Sequence, residues 1–209
     1  MLRYALLQMK ILAPLLIVAL AGCATTPAAP PTTDWRSVAT SNDRERLRQW
    51  RDAFTDALAK ARAAGHATEV AKEGALLVPD AAIGSGPIPS GDYRCRVIKV
   101  GAKTLGQLDY IAYPAFRCRI ETAGALQRFT KLTGSQRHVG TIYPADQLRQ
   151  LFLGTLVLGD ETRALEYGVD RERDLAGWVE RIGERRWRLL LPYPQFESTI
   201  DVIELVPEA

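Results

Sequence analysis

From Asp92 to the C-terminus the chain is a succession of short segments in which apolar and polar side chains alternate. They read YRCRVIKV, FRCRIE, LQRFTKL, RHVGTIYP, RQLFLGTLVL, LAGWVERIG, RWRLLLPYP and TIDVIELVP. Glycines, prolines and polar residues divide them, and several spacings suit hairpins; Ile182-Gly183-Glu184-Arg185-Arg186-Trp187 reads as a hairpin turn. A period of two places successive side chains on opposite faces of a strand. About eight such strands in one stretch point to a barrel or a sandwich. Closure into a barrel removes the exposed edges that invite pairing with other chains. The expectation is a mainly β fold with an N-terminal helix: a small antiparallel barrel of about eight strands, lipocalin-like in layout, with a β-sandwich as the alternative.

The helix is legible upstream. Leu47, Trp50, Phe54, Leu58 and Ala61 recur at three- and four-residue steps and form one apolar stripe. Asn42 and Glu45 have capping-box spacing, Asp56 and Lys60 form an i,i+4 pair, and Gly65 suits a C-cap. These signals predict a helix over about 43–64, packed on something larger. HATEVAKEG can add another turn or two, and GSGPIPSG (84–91) reads as an irregular loop leading into the first strand.

Two segments place a cysteine between arginines, YRCR and FRCR. Alternation puts Tyr93, Cys95 and Val97 on one face and Arg94 and Arg96 on the other. Likewise Phe116, Cys118 and Ile120 share a face, with Arg117 and Arg119 pointing away. Both sulfurs are expected on the core side of neighbouring strands and joined as a disulfide. Closing a loop of this length stabilises a fold by about 3 kcal/mol. Metal binding is the weaker reading, since no clustered histidines or cysteines complete a site.

The N-terminus reads as a targeting signal. Arg3 and Lys10 accompany the apolar run ILAPLLIVALA, which at 11 residues is shorter than a membrane-spanning helix requires. Leu20-Ala21-Gly22-Cys23 resembles a bacterial lipobox, in which lipid is attached to the cysteine before cleavage. The expected organisation is a lipoprotein signal peptide over 1–22, then lipidated Cys23 and a Pro/Ala/Thr-rich tether over 23–34, then one helix-plus-barrel domain over 35–209. An exported, oxidising compartment also favours the Cys95–Cys118 bond. The expected place is the bacterial envelope, anchored through lipid on Cys23, at the periplasmic face of the outer membrane because Ala24 rather than aspartate follows the cysteine.

Charge excludes little but excludes something. Arg3 and Lys10 are the only charges before Cys23, so the remainder carries 25 basic and 24 acidic side chains. Such balance gives no signal for nucleic acid. His66, just past the helix, reads as a surface residue, and His138 stands at the start of a strand three residues after Ser135. On a strand that spacing sends the two to opposite faces, which argues against a nucleophile–base pair. Asp170 and Asp174 lie among Arg171 and Arg173 and read as surface ion pairs. No catalytic residue, cofactor or metal ligand is assigned.

The strongest candidate for binding is KLTGSQR. Gly134 permits a tight turn, and Ser135, Gln136 and Arg137 bring three hydrogen-bonding side chains together. Near a barrel mouth, with Arg119 or Lys131, they could clamp a carboxylate or phosphate. The alternative is a plain hairpin turn whose Arg137 pairs with a neighbouring acid. Pro192, Tyr193, Pro194 and Phe196 form either a recognition surface for a partner or a rigid loop across one barrel end. Trp178 and Trp187, flanking the Gly183 turn, read as core.

YRCR, FRCRI, KLTGSQR, FLGT, RDLAGWVERIG and RWRLLLPYP together resemble domain-of-unknown-function family 4893, over most of the chain from the helix onward. The resemblance implies an exported alphaproteobacterial protein with a cysteine pair, and it carries over no catalytic residues. The functional expectation is non-catalytic binding of a small molecule or lipid in the barrel. The alternative is a protein-interaction module, an inhibitor or assembly factor.

Overall fold

A computed structural model describes residues 31–84 and 86–208. The signal segment and Cys23 lie outside the described residues, as does most of the tether.

The helical part is α1 (Trp35–Val38), α2 (Ser41–Arg48), α3 (Trp50–Ala61) and α4 (Ala67–Lys72), with a wide turn over Arg62–His66 and a tight helical turn over Gly74–Leu77. The single helix expected over 43–64 is therefore broken at Gln49. Its start also differs: Thr40, in extended backbone, accepts from Asp43 N–H and donates its hydroxyl to the Asp43 carboxylate, displacing Asn42 from the capping role. Lys60 turns from Asp56 to the Ala102 carbonyl and Thr199. All five residues of the apolar stripe are buried.

The strands are β1 (Gly91–Ala102), β2 (Tyr110–Ala112), β3 (Phe116–Ala123), β4 (Leu126–Lys131), β5 (Gln136–Pro144), β6 (Arg149–Leu158), β7 (Asp174–Gly183), β8 (Arg186–Pro192) and β9 (Ser198–Pro207). Each pairs antiparallel with its neighbour, and β1 pairs with β9 to close the ring. Eight strands, β1 and β3 to β9, form the closed barrel. The short β2 is an addition alongside Ile98–Val100 of β1.

Alternation divides the barrel wall. Inward side chains of β1, β3, β4, β6, β8 and β9 meet around Phe129, Phe152, Trp187, Leu189 and Ile203, which fill the centre. Outward side chains are covered on two sides. α3 lays Trp50, Phe54, Ala57 and Leu58 over Ile98, Val100, Leu190, Ile200 and Val202. Trp35, Ala39 and Leu47 cover Leu151, Leu153 and Ala176. Arg46, held by Asp43 of the same helix, pins α2 to the barrel through the carbonyls of Tyr193 and Asp174, and Trp178 Nε1 donates to the Leu47 carbonyl at 3.0 Å. Trp187 lies inside and Trp178 outside.

The cysteines lie diagonally across β1 and β3: Tyr93 faces Cys118, and Cys95 faces Phe116. Their sulfurs are bonded, with Cα atoms 5.9 Å apart. Arg94, Arg117 and Arg119 are exposed on the other face. The 86–90 segment crosses one barrel end. Ile88 enters the core, its N–H donating to Gln127 Oε1 at 2.9 Å and its carbonyl accepting from Gln127 Nε2 at 2.6 Å. Cavities open on both sides of the barrel core, beside this segment and at the opposite, open end.

Candidate functional site

The same inward faces that are apolar at mid-barrel turn polar at the open end. On β1 the series Tyr93, Cys95, Val97 continues to Lys99; on β4 Phe129 is followed by Lys131; on β9 Leu205 and Ile203 are followed by Asp201. β5 contributes Gln136 and His138. A cavity of about 420 Å³ opens among them, walled by Val97, Tyr113 and Phe116 and rimmed by Gly134, Ser135 and Glu197.

Two lysines reach this mouth in different electrostatic surroundings. Lys99 Nζ donates to Glu197 Oε2 at 2.5 Å and to Gln136 Oε1 at 3.2 Å, and lies 3.8 Å from Asp201 Oδ2. Burial opposes its charge, but Asp201 and Glu197 outweigh burial and hold the ammonium above the usual lysine range. Asp201 is pushed up by burial, partly offset by Lys99 and by the hydroxyl of Ser198. Lys131 Nζ donates to the carbonyls of Thr133 and Gln136, both at 2.8 Å, and stands 3.6 Å over the Phe116 ring centre. Among the described residues no carboxylate pairs with it. Burial, then repulsion from Arg137 and Lys99, pushes it down to about 8. Gly134 makes room for this arrangement: its φ is +92°, and a Cβ there would lie 2.7 Å from Lys131 Nζ and 2.9 Å from Phe116.

His138 completes the site. It is 3% exposed, and its Nδ1 is buried with no hydrogen-bond partner among the described residues. Burial, reinforced by Lys131 and Lys99, pushes it down to about 3, so the ring is neutral at physiological pH. A buried polar atom left without a partner costs about 1–3 kcal/mol.

The sequence-derived candidates divide. Lys131, Ser135 and Gln136 come together at the mouth. Arg137 points elsewhere, donating to the carbonyls of Gly134, Gly159 and Glu161 and tying the β4–β5 turn to the β6–β7 loop. Arg119 is on the outer face, paired with Asp92 at 2.6 Å, because alternation that sends Cys118 inward sends Arg119 out. The proline-rich segment is held by Arg46 at the Tyr193 carbonyl and Lys103 at the Pro194 carbonyl, and it delivers Glu197 to Lys99. Asp174 is 2% exposed rather than on the surface, and burial pushes it up. His66 stacks on Tyr110 at 5.6 Å, remote from the mouth residues. Lys99 and His138 were discoverable, being in phase with Val97 and Ile142; Glu197 has no comparable signal.

Among the described residues no group of three or more His, Cys, Asp or Glu side chains could hold a metal ion. No curated protein and no solved structure matches the chain. A family model described as Domain of unknown function (DUF4893) matches residues 35–205, which span the helices, the mouth and all nine strands but the last two residues of β9. The chain belongs to that family.

Proposed function

We propose that the protein is a lipid-anchored component of the bacterial envelope that binds a small molecule at the barrel mouth without transforming it. The observation that carries the reading is the buried His138 Nδ1 with no hydrogen-bond partner among the described residues, in a cavity of about 420 Å³ that also holds Lys131, whose Nζ has two carbonyls but no carboxylate. Cavities of roughly 300–1,000 Å³ with a few convergent polar groups suit small ligands. Because Phe129, Phe152 and Trp187 fill the barrel centre, the ligand sits at the end rather than through the middle. Anchoring rests on the N-terminal sequence: a basic start, an apolar run and Leu20-Ala21-Gly22-Cys23. Acyl chains on Cys23 contribute about 0.8 kcal/mol of membrane affinity per buried methylene.

Native mass spectrometry of the mature protein from its own membranes tests both parts. The expected spectrum carries an acyl mass on Cys23 and a small noncovalent mass that disappears on denaturation. A protomer with no noncovalent mass, still bare after incubation with membrane extracts, overturns the binding reading. Unchanged membrane partitioning of Cys23→Ser overturns the anchoring.

A further inference from the structure

We propose that the mouth selects an organic monocarboxylate, whose single negative charge meets Lys131 Nζ while a polar atom of the ligand reaches His138. This deepens, and rests on, the reading of the mouth as a ligand site.

The charge count decides the class. Lys99 has Glu197 at 2.5 Å and Asp201 at 3.8 Å, so both nearby carboxylates stand against Lys99 and neither against Lys131. The direct contacts of Lys131 Nζ are partial charges alone: two carbonyl oxygens and the face of Phe116. His138 is neutral and adds hydrogen bonding without charge. The mouth therefore has one cationic group without a formal counter-charge. One carboxylate balances it, whereas a phosphate dianion brings a second negative charge into a cavity that Glu197 already lines, and like charges repel. The remaining walls, Val97, Tyr113 and Phe116, are apolar or aromatic and call for a ligand body with apolar surface. A carboxylate on a lysine ammonium is also a charge-assisted hydrogen bond, stronger than the neutral contacts that now hold Nζ.

Three probes with one tail separate the possibilities: octanoate, octyl phosphate and octanol, titrated calorimetrically into the purified full-length chain. Octanoate should bind at least tenfold more tightly than either of the others at neutral pH. Lys131→Met should erase its advantage over octanol. In the unsubstituted protein the octanoate affinity should be level between about pH 6 and 8, where the probe stays ionised, and fall up to tenfold per pH step above it, as free Lys131 loses its proton. The charges of Lys99 and Arg137 act on Lys131, and His138, Tyr113 and Glu197 line the same cavity. Lys99 stays charged and His138 neutral across that window. This profile keeps the test available even if Lys131→Met fails to fold.

Octyl phosphate or octanol binding as tightly as octanoate overturns the monocarboxylate assignment and leaves the mouth as a ligand site. Binding of none of the three also overturns the assignment. The broader reading then stands or falls separately on Val97→Trp: a native small-mass adduct abolished by this substitution keeps the mouth, and an adduct that persists places the ligand elsewhere.

Discussion

Arg188 and Glu180 stand opposite each other on β8 and β7, joined at 2.6 Å with neither side chain exposed to solvent. Arg188 spends its remaining donors on the carbonyls of Ala75, Leu76, Val78 and Pro79, at 2.7–3.0 Å, and so clamps the segment after α4 to the barrel wall. Glu180 also accepts from Arg149 Nε at 2.7 Å. Removing Arg188 leaves Glu180 with Arg149 alone and takes the donor from four carbonyls at once. Arg188→Met should cost about 3–5 kcal/mol, read from urea unfolding. Arg188→Lys should recover little, because an ammonium lacks the planar fork that reaches five acceptors at once. A loss below about 1 kcal/mol for either variant would mean that the segment after α4 is not held through Arg188.

The Cys95–Cys118 bond closes a loop with a sequence separation of 23 between β1 and β3. Chain-entropy reasoning makes it worth about 3 kcal/mol. Replacing both cysteines with alanine should lower the unfolding free energy by about that amount. In denatured, unreduced protein neither thiol should react with a probe. Two reactive thiols there would count against the bond.

Gly140 and Gly154 are direct cross-strand partners on β5 and β6, with the Phe152 ring against both. A Cβ on Gly154 would lie 2.3 Å from the Val139 carbonyl and 2.5 Å from Phe152; on Gly140 it would lie 2.3 Å from the Leu153 carbonyl. Since backbone blocks the way, Gly154→Ala should destabilise by about 2–3 kcal/mol through overpacking. Gly86→Ala, with nothing within 4 Å of its Cβ, should change stability by less than about 0.5 kcal/mol. Equal effects at the two sites would show that the strands can part to admit a methyl group.

How much of this was legible follows from what alternation can encode. Period two located all eight barrel strands and the inward cysteines, because an inward side chain must be apolar or paired wherever it lies. The segment Tyr110–Ala112 escaped, being three residues long with no room for a period. Alternation cannot tell an outward residue in water from one beneath a helix. Nothing in RWRLLLP therefore marks Arg188 as wholly buried, and Asp174, which reads as a surface ion pair, is buried too. At the mouth, Lys99 and Lys131 continue inward series in plain view, but a lysine at a strand end is ordinarily solvated, and only closure of the barrel buries them. Glu197 arrives from a loop with φ +67°, where no periodicity applies.

The neutrality of His138 has a measurable consequence for stability. Burial pushes the ring from the usual 6.5 down to about 3 in the folded protein, so between those values the unfolded chain binds a proton that the native state refuses. Where the unfolded state holds more protons, stability falls as pH falls. The contribution is complete above about 6.5 and is lost progressively towards 3, reaching about 2–3 kcal/mol by pH 4.5. Asp174 and Asp201 are pushed up and act with the opposite sign, since the native state then holds the extra proton. Comparison with His138→Leu cancels their share, and between pH 7.5 and 4.5 the unsubstituted protein should lose about 2–3 kcal/mol relative to the variant. Parallel profiles would show that His138 takes up a proton in the folded state. That would place water or a counter-charge against the ring, and the mouth would then offer a second cation instead of an uncharged hydrogen-bonding group.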